Sequence, residues 1–176
     1  MPRVPYVPAD LAEPREIVDA VRARRGGTLI NLDRMLLHSP EMAMGWNTYL
    51  GAIRTRLQLS PKLRELAICT VAVLNGADYE FHQHAPEFLK AGGTPAQLDA
   101  LRDPERAQRD DALFDDTERA ALAVAVEMTR PVEVSDASFD ALARRLGVRD
   151  LVEFVGTVAT YNMVSRFLVA LGIELE

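Results

Sequence analysis

The sequence predicts an all-α protein, and three observations carry that prediction. No segment alternates apolar and polar residues with period two over a useful length, and no hairpin dipeptide stands between β-branched runs. Apolar residues instead recur three and four apart along most of the chain. Helix starts are punctuated by a hydroxyl residue followed by proline, at Ser39-Pro40, Ser60-Pro61 and Thr94-Pro95.

Taken in order, residues 1–13 carry Pro2, Pro5 and Pro8 and cannot be helical. They are expected to form an extended arm, either frayed or laid on a neighbouring subunit. Residues 14–176 are expected to form a single all-helical domain. Pro14 opens a helix with Ile17, Val18 and Val21 on one face, and Gly26-Gly27 stops it. Arg22, Arg24 and Arg25 cluster at its end, where cations suit the helix dipole. Leu29 to Leu37 reads as a short helix. Ser39-Pro40 starts a long one through Met42, Trp46, Tyr49, Leu50, Ile53 and Leu57. Ser60-Pro61 starts the next, which ends at Gly76, and Asp78 is placed to cap its successor. Thr94 with Gln97, and Asp115 with Glu118, form capping boxes. Between them, residues 103–114 (DPERAQRDDALF) are polar and poorly periodic, and read as a loop or a boundary between halves. Pro131 stops the helix begun at Asp115. Ser135 caps one ending at Gly147, and the last helix runs from about Asp150 to Leu171. The expected total is eight or nine helices. Glu65 and Glu153 each stand early in a long apolar helix, an echo that would fit a structural duplication.

Composition narrows the function classes. The net charge is −6 over 176 residues, and no strong basic face is present. Nucleic acid is therefore not an expected partner. The single cysteine, Cys69, excludes a disulfide framework and a two-thiol redox cycle within one chain. It fits a reducing, cytoplasmic setting. The N-terminus lacks the basic-then-apolar order of a secretory leader, and no apolar run approaches the roughly 18 residues needed to cross a membrane.

The stretch with most chemistry in it is Glu65–His84, ELAICTVAVLNGADYEFHQH. Its first helix is apolar almost all round, so Glu65 must be buried, and a buried carboxylate is either paired or held neutral. Cys69 shares its face and reads as a small core residue. On the second helix Glu80 and His84 share a face, while His82 points away towards solvent or an interface. If the two helices pack as a hairpin, Glu65 approaches Glu80 and His84. Two carboxyls and an imidazole in an apolar setting suit proton transfer, because close carboxylates cannot both ionise cheaply. Spacing alone leaves a structural pair, a metal pair and a catalytic group all open. The ligand set is thin for a metal and lacks zinc or iron spacing, so no metal is expected. His38 reads as a helix-end residue. Trp46 and Tyr79 are candidates to line a substrate pocket, and Arg166 is a candidate to hold a substrate carboxylate.

Three blocks, NLDRMLLHSPEM, LSPKLRELAICTVAVLNGADYEFHQHAPEFLKAGGT and LVEFVGTVATYNMVSRFLVALGIELE, resemble the carboxymuconolactone decarboxylase and alkylhydroperoxidase-D-like (AhpD-like) superfamily. The resemblance runs from about Asn31 to the C-terminus. It implies an AhpD-like multi-helical bundle assembled as a homo-oligomer, a trimer or hexamer. The peroxidase branch carries Cys-x-x-Cys-x-x-x-His with a glutamate upstream. Counted back from His84, its cysteines fall on Glu80 and Ala77, and its relay glutamate falls on Glu65. The proton-relay pair is thus kept while both redox thiols are absent, which argues against thiol peroxidase chemistry. The resemblance implies instead a cofactor-free decarboxylase acting on a small lactone or carboxylic acid, with Glu65, Glu80 and His84 as catalytic residues. An isomerase or hydrolase using the same relay, and a non-catalytic binding protein, are the alternatives. Two ionised glutamates would repel an anionic substrate, so one should be protonated, or Arg64 or Arg166 must compensate.

Overall fold

The computed structural model describes residues 1–176, which form ten helices and no strand. They are α1 (Arg15–Arg25), α2 (Asn31–Leu36), α3 (Pro40–Thr55), α4 (Pro61–Leu74), α5 (Asp78–Lys90), α6 (Pro95–Ala100), α7 (Pro104–Ala107), α8 (Asp116–Thr129), α9 (Asp136–Ala143) and α10 (Val148–Leu171). Two compact units result: Met1–Leu57 with Ala170–Glu176, and Gln58–Val169.

In the first unit α3 packs on α1 and α2. Val18 and Val21 of α1 are buried, as the sequence spacing requires, and so are Trp46, Leu50 and Ile53 of α3. Asp33 is also buried, and it is fully occupied. Arg25 donates to it at 2.9 and 3.2 Å, Arg24 at 3.4 Å, and the Ile30 N–H at 3.3 Å. The basic cluster thus serves an internal carboxylate, a stronger role than a solvated helix end.

The arm is not frayed but tied to the chain's own helices and C-terminus. The Arg3 N–H donates to the Leu171 carbonyl at 2.9 Å, and the Met1 ammonium pairs with Glu174 at 2.6 Å. Arg34 donates to the Val7 carbonyl at 2.8 Å, and exposed His38 lies 2.7 Å from the Pro5 carbonyl oxygen. Proline leaves carbonyls without matching N–H groups, and side chains of the chain's own helices take them up.

In the second unit α4 is the central element and packs on α5, α7 and α8. Leu66, Ile68, Val71 and Ala72 have no exposed surface. Burial of each large aliphatic side chain there contributes about 1.5–3 kcal/mol. Pro61 stands at the first turn as expected, but Ser60 makes no side-chain cap, and neither does Ser39 before α3. A different group prepares the start of α4. Glu153, on α10, accepts from the Gln58 and Leu59 N–H groups at 2.7 and 2.8 Å. Its carboxyl is held below the usual range, chiefly by the hydrogen bond from Arg149 and with the two backbone donors adding to it. The two glutamates that echo one another in sequence therefore do unrelated things.

The segment 103–114 departs from its reading as a loop or boundary. It contains a short helix of its own, α7, and it buries Pro104, Ala107 and Phe114. Asp103 caps α7 and Asp110 accepts from the Ala112 and Leu113 N–H groups, so the polar residues close short turns. Both capping boxes form as predicted. Asp78 is the first residue of α5 rather than its cap. The last helix also exceeds its sequence reading. An 18-residue window of α10 reaches a mean hydropathy of 1.3, long and apolar enough to cross a membrane, yet half of that window is buried inside the protein.

The AGG at the end of α5 has two separate causes. Gly92 lies at φ 100°, a left-handed conformation that closes the helix. Gly93 is needed for space, because a Cβ there would lie 2.3 Å from the Phe88 ring. Phe88 has no exposed surface and cannot swing away. Gly93→Ala is expected to destabilise the protein by about 1–3 kcal/mol. A denaturant midpoint equal to that of the parent protein would contradict this close approach.

Candidate active site

The antiparallel packing of α4 and α5 joined by the Gly76 turn brings Glu65 and His84 together. Glu65 Oε2 accepts from His84 Nδ1 at 2.6 Å, and both residues are almost wholly buried, at 3% and 4% exposure. Arg64 donates to the other oxygen at 3.2 Å. Burial pushes the Glu65 carboxyl up, but the hydrogen bond and charge of His84, with help from Arg64, outweigh it and hold the group below its ordinary value. Glu65 thus keeps its carboxylate character despite burial. The Tyr161 ring of α10 stands edge-on to His84, with centroids 5.0 Å apart and planes at 84°, and this packing fixes the imidazole in one orientation.

Glu80 has the opposite electrostatics. It is 2% exposed, and burial raises its carboxyl well above the usual range, opposed only by a hydrogen bond with Ser165. The Ser165 hydroxyl lies 2.9 Å from Oε1, while Oε2 has no hydrogen-bond partner. Buried Glu118 in the same unit is a useful contrast. Lys62 reaches it at 2.6 Å, Gln97 at 3.1 Å and the Asp115 N–H at 3.0 Å. A buried carboxyl is normally satisfied in this way, and an orphaned oxygen costs about 1–3 kcal/mol. The two carboxyls are thus shifted in opposite directions, the pattern that separates proton donors from bases in acid–base sites.

Cys69 lies with no exposed surface on α4. Burial raises its thiol strongly, and the charges of Glu65 and Glu80 raise it further against a smaller opposing effect of Arg102. A thiol so placed is neither a nucleophile nor a redox centre. In the native protein it should resist a disulfide reagent such as dithionitrobenzoate, and react only when the chain unfolds. Stoichiometric labelling under native conditions would contradict this.

The other sequence candidates fall in different places. Tyr79 is buried in the first turn of α5, next to Glu80. Trp46 belongs to the first unit, buried on α3. Arg166 donates to the carbonyl and side-chain oxygens of Asn162 at 2.8 and 2.7 Å. Asn162 in turn bonds Thr129 and Asn75 at 3.0 and 3.1 Å, so Arg166 closes a polar knot at the end of α4. His82 is exposed, as its position on the helical wheel requires. Ser165 was missed by sequence reasoning. The available signal was a small hydroxyl residue one turn after Tyr161 on a long apolar helix. Arg102 was missed as well, and its guanidinium sits 3.9 Å above the centre of the Phe81 ring. It also lines a half-open cleft of about 440 Å³ with Asp103, Arg106 and Asp110. Glu65, Glu80 and His84 do not line that cleft, and Asp103 and Asp110 there accept from backbone N–H groups of short turns. No group of three or more His, Cys, Asp or Glu side chains gathers to hold a metal ion.

The family model described as the carboxymuconolactone decarboxylase family matches residues 40–127. The chain belongs to this family. Glu65, Glu80 and His84 lie inside the matched span of the carboxymuconolactone decarboxylase family, whereas Tyr161 and Ser165 lie beyond it. Solved structures place the whole chain in the AhpD-like fold. An uncharacterized peroxidase-related protein from Silicibacter sp. TM1040 superposes with a TM-score of 0.79 at 20% identity, covering 99% of this chain and 90% of that one. An AhpD core protein from Ralstonia eutropha JMP134, also peroxidase-related and uncharacterized, gives 0.80 at 21% identity, with 99% and 92% covered. A cysteine-to-alanine variant of the debrominase Bmp8, in complex with 2,3,4-tribromopyrrole, gives 0.82 at 18% identity, with 100% and 94% covered. No curated protein matches the sequence closely. At these identities the likeness establishes the all-helical fold alone.

Proposed function

We propose that this carboxymuconolactone decarboxylase family protein is a cofactor-free lyase that removes CO2 from a small lactone or related carboxylic acid. The observation that carries the reading is the buried Glu65–His84 pair, 2.6 Å apart, beside a neutral Glu80. As the substrate's C–C bond breaks, its electron pair moves into the conjugated lactone carbonyl and CO2 leaves. The resulting dienolate takes a proton on carbon from the His84 imidazolium, and His84 regains a proton from water. The sum is one carboxylate and one proton going to one C–H bond and CO2. Glu65 keeps His84 charged for that delivery. Neutral Glu80 spares an anionic substrate a second negative charge, and Arg64 offsets the first.

Tyr79 and Arg166, in the same unit as the pair, remain the candidates for substrate contact in this reading, within a cytoplasmic homo-oligomer of three or six chains. Exposed Val148, Val152, Met163 and Val169 on α10 support such association. A fold of this kind that holds 2,3,4-tribromopyrrole in Bmp8 supports a small conjugated ring as ligand. Reductive removal of a halogen needs two electrons, which one buried thiol does not supply as a cycling pair, whereas decarboxylation needs only a proton.

The test is a panel of unsaturated lactone acids and β-keto acids turned over in D2O, read for CO2 and for deuterium on carbon. CO2 with one deuterium per product is expected. Deuterium uptake without CO2 would replace the lyase by an isomerase on the same relay. No reaction with any member of the panel would remove the enzymatic reading.

A further inference from the structure

The Ser165 hydroxyl stands between two acceptor-type oxygens. Its Oγ lies 2.9 Å from Glu80 Oε1 and 2.8 Å from the Tyr161 carbonyl oxygen, and all three residues are buried. A hydroxyl has one hydrogen and cannot donate fully to both. Both short contacts become good hydrogen bonds only in one arrangement. Glu80 carries its proton on Oε1 and donates it to Ser165, and Ser165 donates to Tyr161. The carbonyl of Tyr161 is an acceptor in any state, and a helical serine bonding the carbonyl four residues back is a familiar local pattern. The direction of the chain is therefore set at its helix end.

This leaves Oε2 of Glu80 as a carbonyl oxygen. It accepts but does not donate, it is buried, and it has no partner. We propose that Ser165 is a positioning residue that holds the Glu80 proton on Oε1, so that Glu80 meets the ligand as an acceptor and selects molecules presenting a hydroxyl or N–H at that point. The inference builds on the proton-transfer reading above by naming the chemistry of the ligand edge that meets Glu80. A substrate carboxylate accepts only, so it must face elsewhere, and the donor-bearing edge of the same molecule meets Oε2. Without Ser165 the carboxyl proton can pass to Oε2, and Glu80 becomes a donor to whatever enters. Of the ionisable groups nearby, His84 lies one turn along α5 and Cys69 on α4 is acted on by Glu80 as well as by Glu65 and Arg102, while Glu65 and the Tyr161 ring of α10 meet His84.

Two measurements on the full-length protein test this without turnover. In infrared difference spectra at neutral pH, the parent protein should show a protonated-carboxyl carbonyl band that Glu80→Gln abolishes and Ser165→Ala displaces. Absence of that band would mean an ionised Glu80 and would overturn the proposal, with no dependence on how any Ser165 variant folds. Pyrrole and furan are near-isosteric probes that differ in one N–H donor. The parent protein should bind pyrrole about tenfold more tightly, as one hydrogen bond to a buried acceptor allows. Ser165→Ala should lose that preference and Ser165→Thr should restore it. Equal binding of the two probes by the parent protein, or a preference unmoved in Ser165→Ala, would also overturn it. Should the lyase screen fail while the band and the probe preference stand, the reaction is wrong and the acceptor site is right.

Discussion

Replacing His84 with alanine should lower kcat for the decarboxylated substrate by about 10²–10⁴-fold, the usual contribution of a positioned general acid. KM should move far less, because the imidazole acts on a carbon that becomes basic only as CO2 leaves. His84→Ala also strands Glu65, whose remaining side-chain partner is Arg64 at 3.2 Å, so the variant loses stability as well. His84→Gln separates the two effects. Its amide can still donate to Glu65, yet it has no proton to deliver at neutral pH. Loss of turnover in a well-folded His84→Gln protein, checked by thermal melting, places the defect in chemistry. Full activity in either variant would sink the mechanism.

The Glu80→Gln variant should be more stable than the parent protein at neutral and alkaline pH, and the gap should widen as pH rises. The sign follows from burial. Glu80 is held neutral in the folded chain, whereas in the unfolded chain it ionises near the ordinary value of 4.5. The favourable term from its raised folded value is complete below that pH and is lost progressively as pH climbs through the folded one. The loss is at most about 1.4 kcal/mol per pH unit over that window. Glutamine keeps the neutral donor–acceptor pair and never ionises. Glu65 behaves oppositely. Its lowered carboxyl stabilises the fold above the ordinary value and loses that contribution on acidification. Chemical denaturation of parent and variant across neutral and mildly alkaline pH is the check, and parallel curves would show that Glu80 is charged in the folded protein.

Periodicity and punctuation made the helical framework legible. Pro40, Pro61 and Pro95 mark true starts, and Gly26, Gly76 and Gly92 mark left-handed ends. What stayed hidden were partners far apart in sequence. Nothing local to the Ser60-Pro61 start indicates Glu153, and nothing in a polar run such as DPERAQRDDALF shows that Phe114 and Pro104 turn inward. The relay was legible because helical spacing limits which faces can meet, and the short Gly76 turn leaves α4 and α5 few ways to pack. Its third wall was not, because α10 arrives about 80 residues later and its Ser165 looks like any other serine. The charges of the two glutamates were equally unreadable. Sequence shows two identical side chains, and only the presence of His84 and Arg64 beside one, and apolar surroundings with one serine beside the other, drives them apart.

The sealed position of Cys69 has a consequence for how such a protein would persist in a cell. Oxidants find no thiolate to strike, since the sulfur has no surface and carboxyls crowd it from two sides. Under the proposed lyase mechanism nothing in the Glu65–His84 pair changes oxidation state between one turnover and the next. Such a protein would keep no record of the stress around it, and water alone would return it to its starting form.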